Sequence, residues 1–179
     1  MESPPDDITP PELARLAVES FVTEGKVLAP PLTPGGVLAG QSGAFVTLRT
    51  VDGNLRGCIG TIAPTCETIA EEIIQNAISA ATRDPRFAPV AVEELPVLTY
   101  GVDLLSQPEA ARGPEDLDPS RYGVVIETLD GTRRGLLLPR IEGIESVDEQ
   151  WLAVHRKAGI PIGTPIRVER FSVTRFGKD

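Results

Sequence analysis

A cysteine two residues from an arginine, with glycine on either side, is the strongest chemical signal in this sequence: Asn54-Leu55-Arg56-Gly57-Cys58-Ile59-Gly60-Thr61-Ile62. The stretch reads as a strand. Alternation puts Leu55, Gly57, Ile59 and Thr61 on one face and Arg56, Cys58 and Gly60 on the other. Residues two apart on a strand lie roughly 6.5–7 Å apart, so the Arg56 guanidinium can approach the sulfur. A neighbouring cation favours thiolate, the nucleophilic form. Cys58 is therefore the candidate nucleophile or covalent attachment point, with Arg56 lowering its pKa and orienting an anionic group. Gly57 and Gly60 remove bulk beside the sulfur and would admit a ligand, and Thr61 completes that ligand-binding set. The same residues also admit a structural role, because cysteine is among the most buried residue types. Arg56 would then cover a sheet edge.

Other chemistry-bearing residues are few. Arg83-Asp84-Pro85-Arg86-Phe87 forms either an anion-binding corner, with Asp84 and Arg86 lining the rim of the site, or a helix stop with a local ion pair. Cys66 falls in the first turn of a helix expected after Thr65, where the helix N-terminus lowers a thiol pKa. Nothing else polar surrounds it, so a structural role is expected. His155 follows Trp151 by four residues and reads as a packed or surface histidine. One histidine and two cysteines nearly exclude a His- or Cys-rich zinc site, and neither metal nor cofactor is expected. No Ser-His-Asp, phosphate-loop or metalloprotease pattern occurs.

The elements that position these residues are legible in the pattern. Residues 1–8 read as a flexible tail. Thr9-Pro10-Pro11-Glu12 opens a helix with a capping box, Leu13, Leu16, Ala17 and Phe21 give it a buried face, and Gly25 ends it. Residues 26–43 are a Pro/Gly-rich loop. Phe45–Val51, Asp52-Gly53 and Asn54–Ile62 form a hairpin, a helix follows over 66–82, and Val97–Leu105 is a strand. After an acidic connection, 106–121, the order recurs. Tyr122–Leu129, Asp130-Gly131 and Thr132–Leu138 form a second hairpin, Ser146 to Glu149 caps a second helix running to about Gly159, and Pro165–Arg175 is the last strand. Its apolar phase slips between Val168 and Phe171, which suggests a bulge near Arg170.

The motif Asp52-Gly53-x-x-Arg56-Gly57 returns as Asp130-Gly131-x-x-Arg134-Gly135, followed by the same elements. Two copies of a strand–strand–helix–strand unit are therefore expected. The fold class is α+β with a mainly antiparallel or mixed sheet packed by helices, two-lobed, with possible lobes 9–106 and 122–179 joined by a linker at 107–121. Leu136 replaces Cys58 in the second copy, so any site is built on the first.

Composition bounds the setting. With 179 residues and 41% hydrophobic residues, a globular core is expected. Seventeen Lys and Arg against 26 Asp and Glu give a net charge of −9, which disfavours nucleic-acid binding. The first 30 residues lack a signal-peptide pattern, and no run approaches the ~18 apolar residues of a spanning helix. A soluble, cytoplasmic chain is the expectation.

The stretch Leu55-Arg56-Gly57-Cys58-Ile59-Gly60-Thr61 resembles the signature of the AMMECR-domain family, whose prokaryotic members are called AmmeMemoRadiSam system protein A. Further matches are Gly43-Ala44-Phe45-Val46-Thr47-Leu48, Asn76-Ala77, Asp84-Pro85-Arg86-Phe87, Glu94-Leu95-Pro96, Arg134-Gly135-Leu136-Leu137-Leu138-Pro139 and Lys157-Ala158-Gly159. Arg140-Ile141 departs from a common Gln-Val. His155 stands where Cys is frequent, which argues against a site on that helix. The resemblance implies a two-lobed α/β protein that accompanies a Memo-type protein and a radical S-adenosylmethionine enzyme; it names no reaction. Two readings follow. In one, the chain handles a small-molecule ligand or substrate through Cys58. In the other it is a non-catalytic adaptor docking a protein through the Arg56 hairpin face.

Overall fold

The computed structural model describes residues 4–177. Its elements are α1 (Pro10–Glu24), β1 (Ala44–Thr50), β2 (Leu55–Gly60), α2 (Ile69–Thr82), β3 (Leu98–Leu105), β4 (Glu109–Ala111), β5 (Tyr122–Thr128), β6 (Arg134–Leu137), α3 (Val147–Ala158) and β7 (Ile166–Phe176), with short 3-10 turns at Gly36–Ala39, Val92–Val97 and Pro114–Asp116. The fold is mixed α+β. The chain divides into two compact units, one running to Leu105 and including Thr174 onward, the other Ser106–Val173.

In the first unit β1 pairs antiparallel with both β2 and β3. In the second β5 pairs antiparallel with β6 and β7, and β7 takes β4 on its other side. Each unit thus holds a hairpin, a helix and a third strand that returns beside the first, which is the expected repeated order. The core of the first unit joins Leu13, Ala17 and Val18 of α1 and Ile73, Ile74 and Ala77 of α2 to Val46, Leu48 and Val102 of the strands. That of the second joins Val124, Ile126, Leu137 and Val168 to Val154 and Ile160.

The glycine of the shared Arg-Gly pair has the same use in both copies. A Cβ on Gly57 would stand 2.2 Å from the Ala80 carbonyl oxygen of α2, and one on Gly135 would stand 2.5 Å from Cβ of Ala158 in α3. The end of each helix lies directly on strand backbone, which only glycine allows.

Several local expectations are corrected. Residues 1–3 of the expected tail lie outside the described residues, but 4–8 are tied down: Ile8 is buried, and Asp6 accepts from Gly35 N–H (3.1 Å) and Thr33 N–H (3.0 Å). The 26–43 segment is a loop, as its composition predicts, held by buried Leu28 and Leu38. The stretch 107–121, read as a linker, carries β4 and a 3-10 turn and belongs to the second unit. α2 starts at Ile69, not 66, because Thr68 and Glu71 form the capping box. β7 has no bulge near Arg170, since its register with β5 is continuous from Ile166 to Ser172. The phase slip arises because β7 buries both faces: Val168 enters the core, while Phe171 covers Gly123.

The bulge lies instead in the first hairpin. Leu48 pairs with Gly57 but Arg49 with Leu55, leaving Arg56 as the extra residue. Leu55 consequently shares a face with Arg49 and parts from Gly57 and Ile59, with which strict alternation groups it.

The helix-on-glycine contact predicts that Gly57→Ala and Gly135→Ala each destabilise by about 3 kcal/mol, the upper end of ordinary overpacking, because the obstructing atoms belong to the helix end and cannot swing aside. Denaturant midpoints of the two variants check this; a loss below about 1 kcal/mol in either would contradict the contact.

Candidate functional site

Cys58 sits on β2, which among the described residues pairs with a strand on one side only. Its side chain is half-buried, and Thr47, directly opposite in register, donates its hydroxyl to Sγ at 3.2 Å. On the open side of the strand the Cys58 N–H donates to Oδ2 of Asp84 at 2.9 Å. The segment after α2 therefore closes a sheet edge that would otherwise expose unpaired backbone groups.

Asp84 is almost fully buried, and both its oxygens are committed. Oδ1 accepts from the Arg86 N–H (3.1 Å) and Nε (2.9 Å), and Oδ2 from Nη2 (2.7 Å). These guanidinium bonds come first, and the Cys58 and Arg86 N–H groups add to them; together they outweigh burial and hold the Asp84 carboxyl far below its usual range. Arg86 is half-exposed, and its pKa is raised, chiefly by Asp84 with a smaller contribution from Cys58.

Arg56 does not serve Cys58 as its sequence position suggests. As the bulge residue it forks onto Glu94, Nε to Oε1 at 2.7 Å and Nη2 to Oε2 at 2.9 Å, and its charge answers to Glu94. The guanidinium lies 5.8 Å from the centre of the Phe87 ring, which Arg86 also approaches, at 5.5 Å. The cation linked to Cys58, through the Asp84 carboxylate that both contact, is thus Arg86 rather than Arg56.

The two glycines and Thr61 have internal uses as well. The space beside Gly57 is filled by Ala80 of α2, and that beside Gly60 by the Phe45 ring, whose Cγ would meet a Cβ at 2.3 Å. Neither opens a path for a ligand. The Thr61 hydroxyl donates to Glu72 and accepts from Asn76 Nδ2 (3.2 Å). Glu72, 1% exposed, also receives the Thr65 N–H (2.7 Å) and hydroxyl (2.9 Å) and the Cys66 N–H (2.9 Å). Burial raises its pKa, but these hydrogen bonds outweigh that and lower it overall. Cys66 lies ahead of α2 rather than in its first turn. Burial, with the Glu72 charge, pushes its thiol pKa up against the Thr65 hydrogen bond. His155 is packed, 3% exposed, with Nδ1 2.9 Å from the Ile160 carbonyl oxygen and its ring edge-on to Trp151. The described residues hold no cluster of three metal-ligating side chains and no helix long and apolar enough to cross a membrane.

Sequence reasoning missed Thr47, Glu94 and Glu72 as members of this neighbourhood, and it placed Phe87 in the corner after α2 without a role. Thr47 was within reach, since residues equidistant from the Asp52-Gly53 turn face each other. Glu94 is 38 residues from Arg56, and no local pattern couples them.

Comparison with known proteins covers most of the chain. The AMMECR1 family model matches residues 11–177. A Thermotoga maritima protein is 48% identical over 161 residues, covering 89% of this chain and 91% of its own. A Clostridium acetobutylicum protein is 42% identical over 92% of this chain, yet the chain spans only 35% of that longer relative. The crystal structure of uncharacterized protein PH0010 from Pyrococcus horikoshii superposes with a TM-score of 0.85 at 32% identity, covering 95% of this chain and 90% of that one.

The Glu72 cluster predicts an acid-sensitive loop. A lowered folded-state pKa means the carboxylate stabilises the protein fully above the ordinary value of 4.5 and progressively less as pH falls through the folded value. Asp84 acts with the same sign. Glu72→Gln turns an amide donor towards N–H donors, so it should cost about 2–4 kcal/mol at pH 7 and flatten the loss of stability below pH 4.5. Urea unfolding of both forms between pH 3 and 7 measures this; parallel curves would contradict it.

Proposed function

The chain belongs to the AMMECR1 family, and on that footing we propose that it handles a small anionic ligand or substrate at the outer edge of β2, with Cys58 as nucleophile or covalent attachment point. The observation that supports the reading is a partly exposed cysteine on a strand whose backbone is fixed at that residue by Asp84, with the half-exposed cation Arg86 bound to the same carboxylate. Arg86 takes the steering role that the sequence assigned to Arg56. Asp84 positions both partners: it holds the Cys58 backbone with one oxygen and the guanidinium with both. Arg56 acts one step further back and secures the covering segment through Glu94. A Memo-type protein and a radical S-adenosylmethionine enzyme are the proposed companions, on the strength of the family resemblance, in a cytoplasmic setting.

A second reading has its own support. Val51, Val92 and Val97 are 64%, 49% and 44% exposed, and the Val51 N–H bonds to the Val97 carbonyl at 2.9 Å, so two of them are tied together at the hairpin tip. Glu94, the partner of Arg56, sits in the same 3-10 turn as Val92 and Val97. An apolar patch beside an arginine suits a protein-docking face, and Cys58 would then only pack.

Alkylation of the native protein across pH 5–9, read by peptide mass spectrometry, separates the two. The ligand-handling reading expects Cys58 to be labelled in the folded state, ahead of Cys66, whose raised pKa leaves less thiolate. Labelling of Cys58 only after unfolding would remove the catalytic reading and leave the adaptor. In that case Cys58→Ser retains partner binding, whereas a handling enzyme keeps its fold and loses activity.

A further inference from the structure

α3, in the second unit, carries a stripe that the candidate site does not use. Glu149, Leu152, Ala153 and Arg156 follow the i, i+3, i+4, i+7 spacing of a single helix face. They line a cleft of about 280 Å³ together with Gly143 and Ile144. Leu152 is 53% exposed, although the opposite face of the same helix buries Gln150 and Val154 completely. Arg156 makes no ion pair or side-chain hydrogen bond among the described residues. Glu149 uses Oε2 for the Glu145 and Ser146 N–H groups (both 2.9 Å), which leaves Oε1 for another donor.

The order of charges along the stripe is self-complementary. Glu149 and Arg156 lie about 10.5 Å apart along the axis at 1.5 Å per residue, and their midpoint falls between Leu152 and Ala153. A second α3, antiparallel and related by a two-fold axis through that midpoint, sets each Glu149 opposite the other copy's Arg156. The two Leu152 side chains meet beside the axis, next to the Ile144 cleft, and the small Ala153 lets the helices approach. A parallel arrangement would face Glu with Glu and Arg with Arg, so charge selects the antiparallel one. We propose that this face of α3 is a self-association surface whose occupant is the same face of a second copy of this chain. Such an isologous contact closes at two subunits. One helix face is small and its ion pairs are solvent-exposed, so the dimer is weak and reversible.

Sedimentation equilibrium of the full chain from about 10 μM to about 1 mM tests this, that window being where weak interfaces populate. The wild type should shift from monomer to dimer across it, less so in high salt. Leu152→Asp and Arg156→Glu should each weaken the dimer at least about tenfold with unchanged far-ultraviolet circular dichroism. The orientation has its own arm: Arg156→Glu and Glu149→Arg each place like charges opposite one another in a homodimer, but mixed together they restore both opposite-charge pairs and should form a heterodimer. Because Glu149 also caps α3, the helicity of that variant is checked first, and Leu152→Asp and Arg156→Glu decide the question if it unfolds. A wild type that stays monomeric at 1 mM, or a dimer indifferent to both Leu152→Asp and Arg156→Glu, overturns the proposal; the first outcome gives the stripe to a different partner and the second puts the dimer contact elsewhere.

Discussion

The end of a helix lying on bare strand backbone is the contact on which each unit is organised. Where Ala80 meets Gly57 the helix backbone itself lies against the strand, and where Ala158 meets Gly135 only a methyl group intervenes. That closeness fixes how each helix crosses its hairpin, and it fixes what comes next. Since α2 ends over β2, the residues leaving it, Arg83 to Phe87, emerge beside the strand's open edge. Asp84 is thereby delivered to the Cys58 N–H, and the arginines that flank Phe87 come together. The second copy keeps the glycine contact but replaces the cysteine with Leu136, so it retains the packing logic without the polar edge.

Glu72 and Asp84 act as structural anions. Glu72 gathers two backbone N–H groups and two hydroxyls with no cation, and Asp84 gathers two N–H groups and a guanidinium. Both organise backbone that is not in regular secondary structure: the turn between β2 and α2, and the exit from α2. A buried carboxylate with its lone pairs satisfied orders a loop in a way apolar packing cannot, because hydrogen bonds specify direction and hydrophobic contact does not. The site is in this sense assembled by two loops, each ordered around a single carboxylate.

Element order, the two hairpins, the capping box of α3 and the duplication are legible in the sequence because each is written in local spacing. The Asp84–Arg86 pair was within reach for the same reason. What escaped depends on distance along the chain or on a change of register. Arg56 and Glu94 are joined only in three dimensions. The pattern leaves the start of α2 open because Thr65 and Thr68 are both adequate caps; the Thr65 hydroxyl is taken by Glu72, and Thr68 begins the helix. The facing of Leu55 and Arg56 escapes the pattern because strict alternation presumes an unbroken ladder.

The extra residue at Arg56 divides the first hairpin into two segments that are out of phase. From Gly57 onward, β2 is locked by α2, Asp84 and the pairing with β1; on the other side Val51, Asp52 and Gly53 close the loop through the Thr50 N–H bond to the Asn54 carbonyl. That loop lies on the far side of the register break from the face that carries Cys58. For protein engineering, the hairpin tip is a natural place to graft an epitope or a reporter peptide, with the thiol a few residues away left in its original surroundings.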